Sequence, residues 1–180
     1  MAYLLVAPNA FTYDNHLSYV NIIIGELTKE TLLPMLNRTI YTLGTSTRTL
    51  EEFMALLKHL EIEAVADVRR FPSSRLQYFK KEELARSLPE AGIHYCHLGA
   101  ELGGYRKGGY SAFTTGEEFS LGLQKLEDIA KAKKTAIICA EKLPFRCHRR
   151  FIGAEMERKG WLVIHVIDEK HSWASSSQIF

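Results

Sequence analysis

The chain has 180 residues, 46% apolar and 24% charged, with a formal net charge of +2. A domain of that length buries roughly 70% of its unfolded surface, so an ordinary globular core is expected and a disordered or fibrous chain is excluded. The charge is too small to argue for nucleic acid by itself. No apolar run approaches the ~18 residues of a membrane span and no basic leader opens the chain, so a cytoplasmic protein without membrane contact is expected.

Residues 1–34 read differently from the rest. They hold three of the four asparagines, two apolar patches and no arginine, which suits either an extension outside the domain or an edge hairpin. From there one α/β domain is expected over residues 35–170, with a polar tail at 171–180. Thr39–Leu43 reads as a first strand ending at Gly44. Thr49 with Glu52 fits a capping box, and Phe53, Leu56, Leu57 and Leu60 follow helical spacing. Ala64–Val68 is a second strand. A helix over Lys80–Glu90 stops at Ala91-Gly92, and a third strand covers Ile93–Leu98. Gly99–Gly116 is a Gly- and Tyr-rich loop, long for an idle connection. A helix over Glu117–Lys133 leads to strand four, Thr135–Glu141. A helix-like pattern over Phe151–Gly160 then precedes strand five, Trp161–Ile167. Strand and helix alternating in this way predict a three-layer α/β/α fold around a mostly parallel five-stranded sheet, Rossmann-like or rhodanese-like.

The segment between strand four and its helix carries the densest chemistry. Cys139, Glu141, Arg146, Cys147, His148, Arg149 and Arg150 crowd one strand-to-helix turn, and ligands bind beyond the strand C-termini of open α/β sheets. Arg149 and Arg150 would lie in a first helical turn, where the macrodipole disfavours cations, and Arg149 would hold the substrate anion together with Arg69 and Arg75. Cys147 near a helix N-terminus, between arginines, suits a thiolate nucleophile. Cys139 is the second candidate thiol, although a small buried residue at a strand end is the plainer reading. Glu141 or His148 would carry the proton. His148 adjoins Cys147, so the two side chains meet only if the turn is not helical there. Arg146 follows Cys139 by seven residues over a loop with Pro144 and no glycine, which fits a cysteine-type phosphatase cradle poorly. Three cysteines, Cys96, Cys139 and Cys147, make no disulfide framework. With His94 and His148 they have metal-ligand types, but no Cys-x-x-Cys or His-x-x-x-His spacing occurs, so neither a metal nor a cofactor is expected.

Other loops add candidate substrate contacts. Asp67, Arg69 and Arg70 follow strand two, and Ser74 and Arg75 come just after, with Tyr78-Phe79 beyond. Arginine's planar fork suits phosphate or carboxylate, and a basic stretch with aromatics could stack a base. Ser46 closes the loop after strand one. Glu101, Gly103 and Tyr110 sit in the long loop after strand three, where the glycines allow close backbone approach or a lid.

Four segments carry a family likeness: Tyr41-Thr-Leu-Gly-Thr-Ser46, the run from Asp67 to Arg75, Leu102-Gly-Gly104, and the run from Cys139 to Arg149. Over roughly residues 38–167 the chain resembles the Domain of Unknown Function 488 family. The resemblance implies a small α/β fold with its site in these segments and supplies no reaction. Members often carry Gly-His-Ser where this chain has Gly44-Thr45-Ser46, and Phe-Asn where it has Phe79-Lys80. A histidine role at position 45 is thus unavailable.

The leading expectation is a Cys-dependent enzyme, a transferase or hydrolase. Its substrate would be a small phosphorylated, carboxylated or nucleotide-like molecule. The competing expectation is a non-catalytic module that binds a nucleotide or nucleic acid. The sequence leaves the oligomeric state open.

Overall fold

The computed structural model describes residues 38–174. The expected extension or hairpin at 1–34 and the last six residues of the expected tail lie outside the described residues. In chain order the elements are β1 Thr39–Gly44, α1 Leu50–His59, β2 Ala64–Asp67, α2 Lys81–Glu90, β3 His94–His97, α3 Gly99–Leu102, α4 Tyr110–Phe113, α5 Glu117–Ala132, β4 Thr135–Cys139, α6 Arg149–Arg158, β5 Leu162–Val166 and β6 Ser172–Ala174. Short 3-10 turns cover Gln77–Phe79 and Pro144–Arg146.

Local chemistry sets the helix ends. Thr49 Oγ1 accepts from the Glu52 amide at 3.1 Å, and Glu52 Oε2 accepts from the Thr49 amide at 2.8 Å, the reciprocal pair that starts α1. Past α2 the chain reverses at Gly92, whose φ of 78° suits a residue without Cβ. The Ile93 amide then donates to the Leu88 carbonyl at 2.9 Å.

The strands form one sheet in the order β3-β2-β4-β1-β5-β6, parallel except for β5 with β6. This differs from the doubly wound order 3-2-1-4-5-6 by the exchange of β1 and β4. The chain steps towards β3 after β1 and β2 and back again after β3 and β4. Right-handed crossovers then put α1 and α2 on one face and α5 and α6 on the other. The buried residues divide accordingly. Phe53, Leu57, Leu84 and Leu88 meet Tyr41, Val65 and Ile138 on one face, and Phe119, Leu126, Ile152 and Met156 meet Ile40, Ala66 and Ile137 on the other. β4 therefore lies between two strands whose following helices cover the face opposite its own. Its C-terminal end is thus the point where the strand order reverses.

Two expectations need correction. The sheet has six strands, because residues expected as polar tail form β6. A turn over Asp168, whose Oδ1 accepts from the amides of Lys170 at 2.9 Å and His171 at 3.0 Å, returns the chain along β5. Ser-Trp-Ala is too short to show an alternation, and its partner is an open sheet edge that no local pattern announces. Residues 99–116 are also not one loop. They contain α3 and α4, and Gly103 and Gly104 are buried.

His165 on β5 is 8% exposed, its Nδ1 lies 2.8 Å from Thr42 Oγ1, and burial together with the Arg149 charge pulls its pKa down to about 4. A histidine kept neutral in the fold but titrating near 6.5 when unfolded contributes stability above the unfolded value. That contribution is lost as pH falls from 6.5 towards 4, on the order of 2–3 kcal/mol in all. Urea unfolding between pH 7 and 4 should show this loss, and His165→Gln should flatten it.

Candidate functional site

The loops after β1, β2 and β4 converge as the strand order requires. β1 pairs with β4 up to Gly44 beside Cys139. Beyond the strand ends the Thr45 amide donates to the Cys139 carbonyl and the Ser46 amide to the Ala140 carbonyl, both at 2.8 Å. Ser46 takes a φ of 47° to turn away. A Cβ on Gly44 would run into the Glu141 carbonyl and lie 2.6 Å from Lys142 Cα. Only glycine lets the β4 loop fold over the end of β1.

Over that end the two cysteines and the histidine meet. Cys139 is the last residue of β4, and Cys147 lies in extended backbone (φ −121°, ψ 148°) just before α6. The break from helix at Cys147 is what lets its side chain face that of His148. His148 Nδ1 is 3.7 Å from Cys147 Sγ and 3.8 Å from Cys139 Sγ. The opposite ring nitrogen, Nε2, lies 3.0 Å from the Val68 carbonyl oxygen. A carbonyl only accepts, so Nε2 carries a proton, and Nδ1 is the ring nitrogen turned towards both thiols. Tyr110 holds the ring from one side, its centroid 5.0 Å from that of His148 and its hydroxyl donating to the Leu102 carbonyl at 2.6 Å. Gly104 comes so close that a Cβ there would lie 3.0 Å from Nδ1.

The thiols differ in character although each is 6% exposed. The Cys139 thiol beside it, together with the Arg149 guanidinium and backbone N–H, pulls the Cys147 pKa down to about 7 against the opposing effect of burial. Cys139 goes the other way, to about 12, because Cys147 and burial both favour its neutral form. Of the two neighbouring thiols, Cys147 is therefore the one that ionises first.

The arginines divide into internal and external groups. Arg69 is spent inside the protein. Its Nε and Nη2 bind the two Asp67 oxygens at 2.8 and 2.5 Å, and its Nη1 donates to the Phe79 carbonyl at 2.7 Å. Asp67 is fully buried and also accepts from the Tyr95 hydroxyl at 2.9 Å. Asp67 and Arg69 thus hold each other in a bidentate ion pair. Arg149 is 0% exposed; it donates to the Glu141 carbonyl and, at 2.7 Å, to the Lys142 carbonyl. It ties down the β4 loop and acts on Cys147 through its charge. Glu141 is exposed, and its Oε1 accepts from the Leu143 amide at 3.4 Å, so of the two expected proton carriers only His148 has a hydrogen bond to a thiol. Ser74 Oγ caps the turn at Leu76 at 3.1 Å, and Glu101 pairs with Lys125 at 2.5 Å. Gly103 allows close approach rather than hinging, since a Cβ there would lie 2.6 Å from Arg70 Cβ. Arg70 donates to the Ala100 carbonyl at 3.3 Å and Arg150 to the Phe145 carbonyl at 3.0 Å. Arg75 and Arg146 are exposed and make no ion pair with any described residue.

Sequence reasoning missed the Val68 carbonyl, because every residue type offers one, and Arg48, which is 8% exposed and donates to the Ile167 carbonyl. An arginine just past a strand end was the available signal for Arg48. Cys139, Cys147 and His148 also supply three ligand-type atoms within 4.8 Å of one another. Those types suit zinc, although the sequence spacing does not announce it.

Two outcomes follow. Alkylation of Cys147 by iodoacetamide should rise with pH to a plateau, with a midpoint near 7. Cys139→Ala should move that midpoint upward by removing the donor; an unmoved midpoint would mean that Cys139 is not the donor. Gly44→Ala should cost about 1–3 kcal/mol in urea unfolding, because the obstacle is backbone that must shift.

No curated protein and no solved structure matches this chain. A family model does, over residues 49–156, well over half of the chain and including β2, β4, both thiols and His148. The protein belongs to the family described as Domain of unknown function DUF488.

Proposed function

We propose that this protein is a thiol-dependent enzyme acting on a small anionic substrate. Cys147 is its nucleophile and His148 Nδ1 its proton acceptor. The observation that carries this reading is the fixed imidazole. Val68 holds Nε2, Tyr110 and Gly104 hold the ring, and the bare Nδ1 faces the thiols at 3.7 and 3.8 Å. A nucleophile, a base within reach and a third group orienting the base make up the arrangement that activated nucleophiles use. Arg149 supplies positive charge beside the sulfur without contacting solvent. Arg75 and Arg146, exposed and without carboxylate partners among the described residues, supply the outer charge that would draw an anion.

The test is depletion of a mixed pool of phosphorylated and carboxylated metabolites, followed by mass spectrometry. The wild-type chain should consume at least one component, and Cys147→Ser should lower that rate by about 10³-fold or more. Equal consumption by both would end the thiol reading. A second reading, a binding module for a nucleotide or nucleic acid, draws on Phe71 and Tyr105. These rings are 67% and 91% exposed with centroids 6.4 Å apart, a platform on which a base could stack. It predicts binding of a single-stranded oligonucleotide that weakens steeply with salt and survives Cys147→Ser.

A further inference from the structure

We infer that Cys147 and Cys139 form the attacking and resolving thiols of a dithiol–disulfide cycle, with a small anionic disulfide as the oxidised partner. The inference rests on the reading of Cys147 as nucleophile and names the reaction class. A lone nucleophile would be served by one base. Here a second thiol lies within 4.8 Å of the first, and His148 Nδ1 stands almost equidistant from both sulfurs, at 3.7 and 3.8 Å. The sulfurs lie within 4.8 Å of one another, and a bridge requires them to close to the ~2 Å of a disulfide. The third cysteine is elsewhere. Cys96 pairs with Ala66 on β2 and Ala66 with Ile137 on β4, which puts it two strands from β4, roughly 10 Å away.

The steps balance. The Cys147 thiolate attacks one sulfur of the substrate disulfide. A bond forms from Cys147 Sγ to that sulfur, the substrate S–S bond breaks, and the first half leaves as a thiolate that takes a proton from solvent. His148 Nδ1, 3.8 Å from Cys139 Sγ, is the acceptor for the Cys139 proton. Cys139 gives its proton to Nδ1 and attacks Cys147 Sγ, and the second half leaves as a thiolate that takes the proton back from His148. Two protein thiols are oxidised to one disulfide and one substrate disulfide is reduced to two thiols. Each cysteine residue is only 6% exposed, which favours a thin disulfide over a bulky protein one. Arg75 and Arg146, which pair with no carboxylate among the described residues, favour one that carries carboxylates.

The experiment exposes the reduced full-length chain to glutathione disulfide, with Cys96→Ser as background, and reads intact mass and peptide maps. The expected result is loss of two hydrogens with a Cys139–Cys147 bridge. Cys139→Ala should stop at a single glutathione adduct on Cys147, and Cys147→Ala should form adducts at least tenfold more slowly. At low salt, glutathione disulfide should react about tenfold faster than cationic cystamine. A wild-type chain that keeps a stable glutathione adduct without bridging overturns the cycle. So does a purified chain holding one zinc whose release is required for any thiol reaction. If Cys147 alkylates readily but no bridge forms, this inference falls and the nucleophile reading stands; if Cys147 resists alkylation as well, both fall. Equal rates for the two disulfides remove the anionic substrate class.

Discussion

The hydrogen bond from His148 Nε2 to the Val68 carbonyl is the contact on which the site depends. It joins the residue after β2 to the residue before α6, segments 80 positions apart in sequence, and it fixes which ring nitrogen bears a proton. Without it the imidazole could take either tautomer, and the lone pair facing the sulfurs would be present only part of the time. Burial amplifies the effect, because a hydrogen bond in a poorly hydrated setting is held more firmly than one open to water.

Around that bond the protein separates charge by depth. Of the innermost arginines, Arg69 is neutralised by Asp67 and Arg149 is tied through both Nη atoms to loop carbonyls, while Arg75 and Arg146, without acidic partners among the described residues, lie outside. Arg149 has no carboxylate among its hydrogen-bond partners and uses loop carbonyls instead, so much of its field remains for the adjacent sulfur. Arg69 faces Asp67 at full bidentate contact and contributes rigidity. The same residue type thus does opposite work at two strand ends, and only the neighbouring acceptors distinguish the two cases.

Much of the fold was legible in the sequence because its signals are local. The Thr49–Glu52 box, the Leu84 and Leu88 face ending at Gly92, and the β-branched run before Cys139 each follow from a few neighbouring residues. The crowding of Cys139, Cys147 and His148 was likewise visible, since they share one segment. What stayed hidden is non-local. Whether Asp67 would meet Arg69 or a ligand depended on Tyr95 and Phe79 closing over it. Whether Arg149 would face solvent depended on the Glu141 and Lys142 carbonyls turning inward. β6 depended on a free edge of β5. Composition and spacing carry no record of such events, because each is decided by which surfaces the sheet order brings together.

That sheet order also fixes when the site can exist. β2 and β3 are close in sequence and can pair early, whereas Ile40 on β1 waits for Thr135 on β4, about 95 residues later. During synthesis from the N-terminus, β1 therefore has neither of its two sheet neighbours until the C-terminal third has emerged. Both thiols of the site belong to that last third. They are made, seated and covered in a single late event, which leaves little time for a half-built chain to display them.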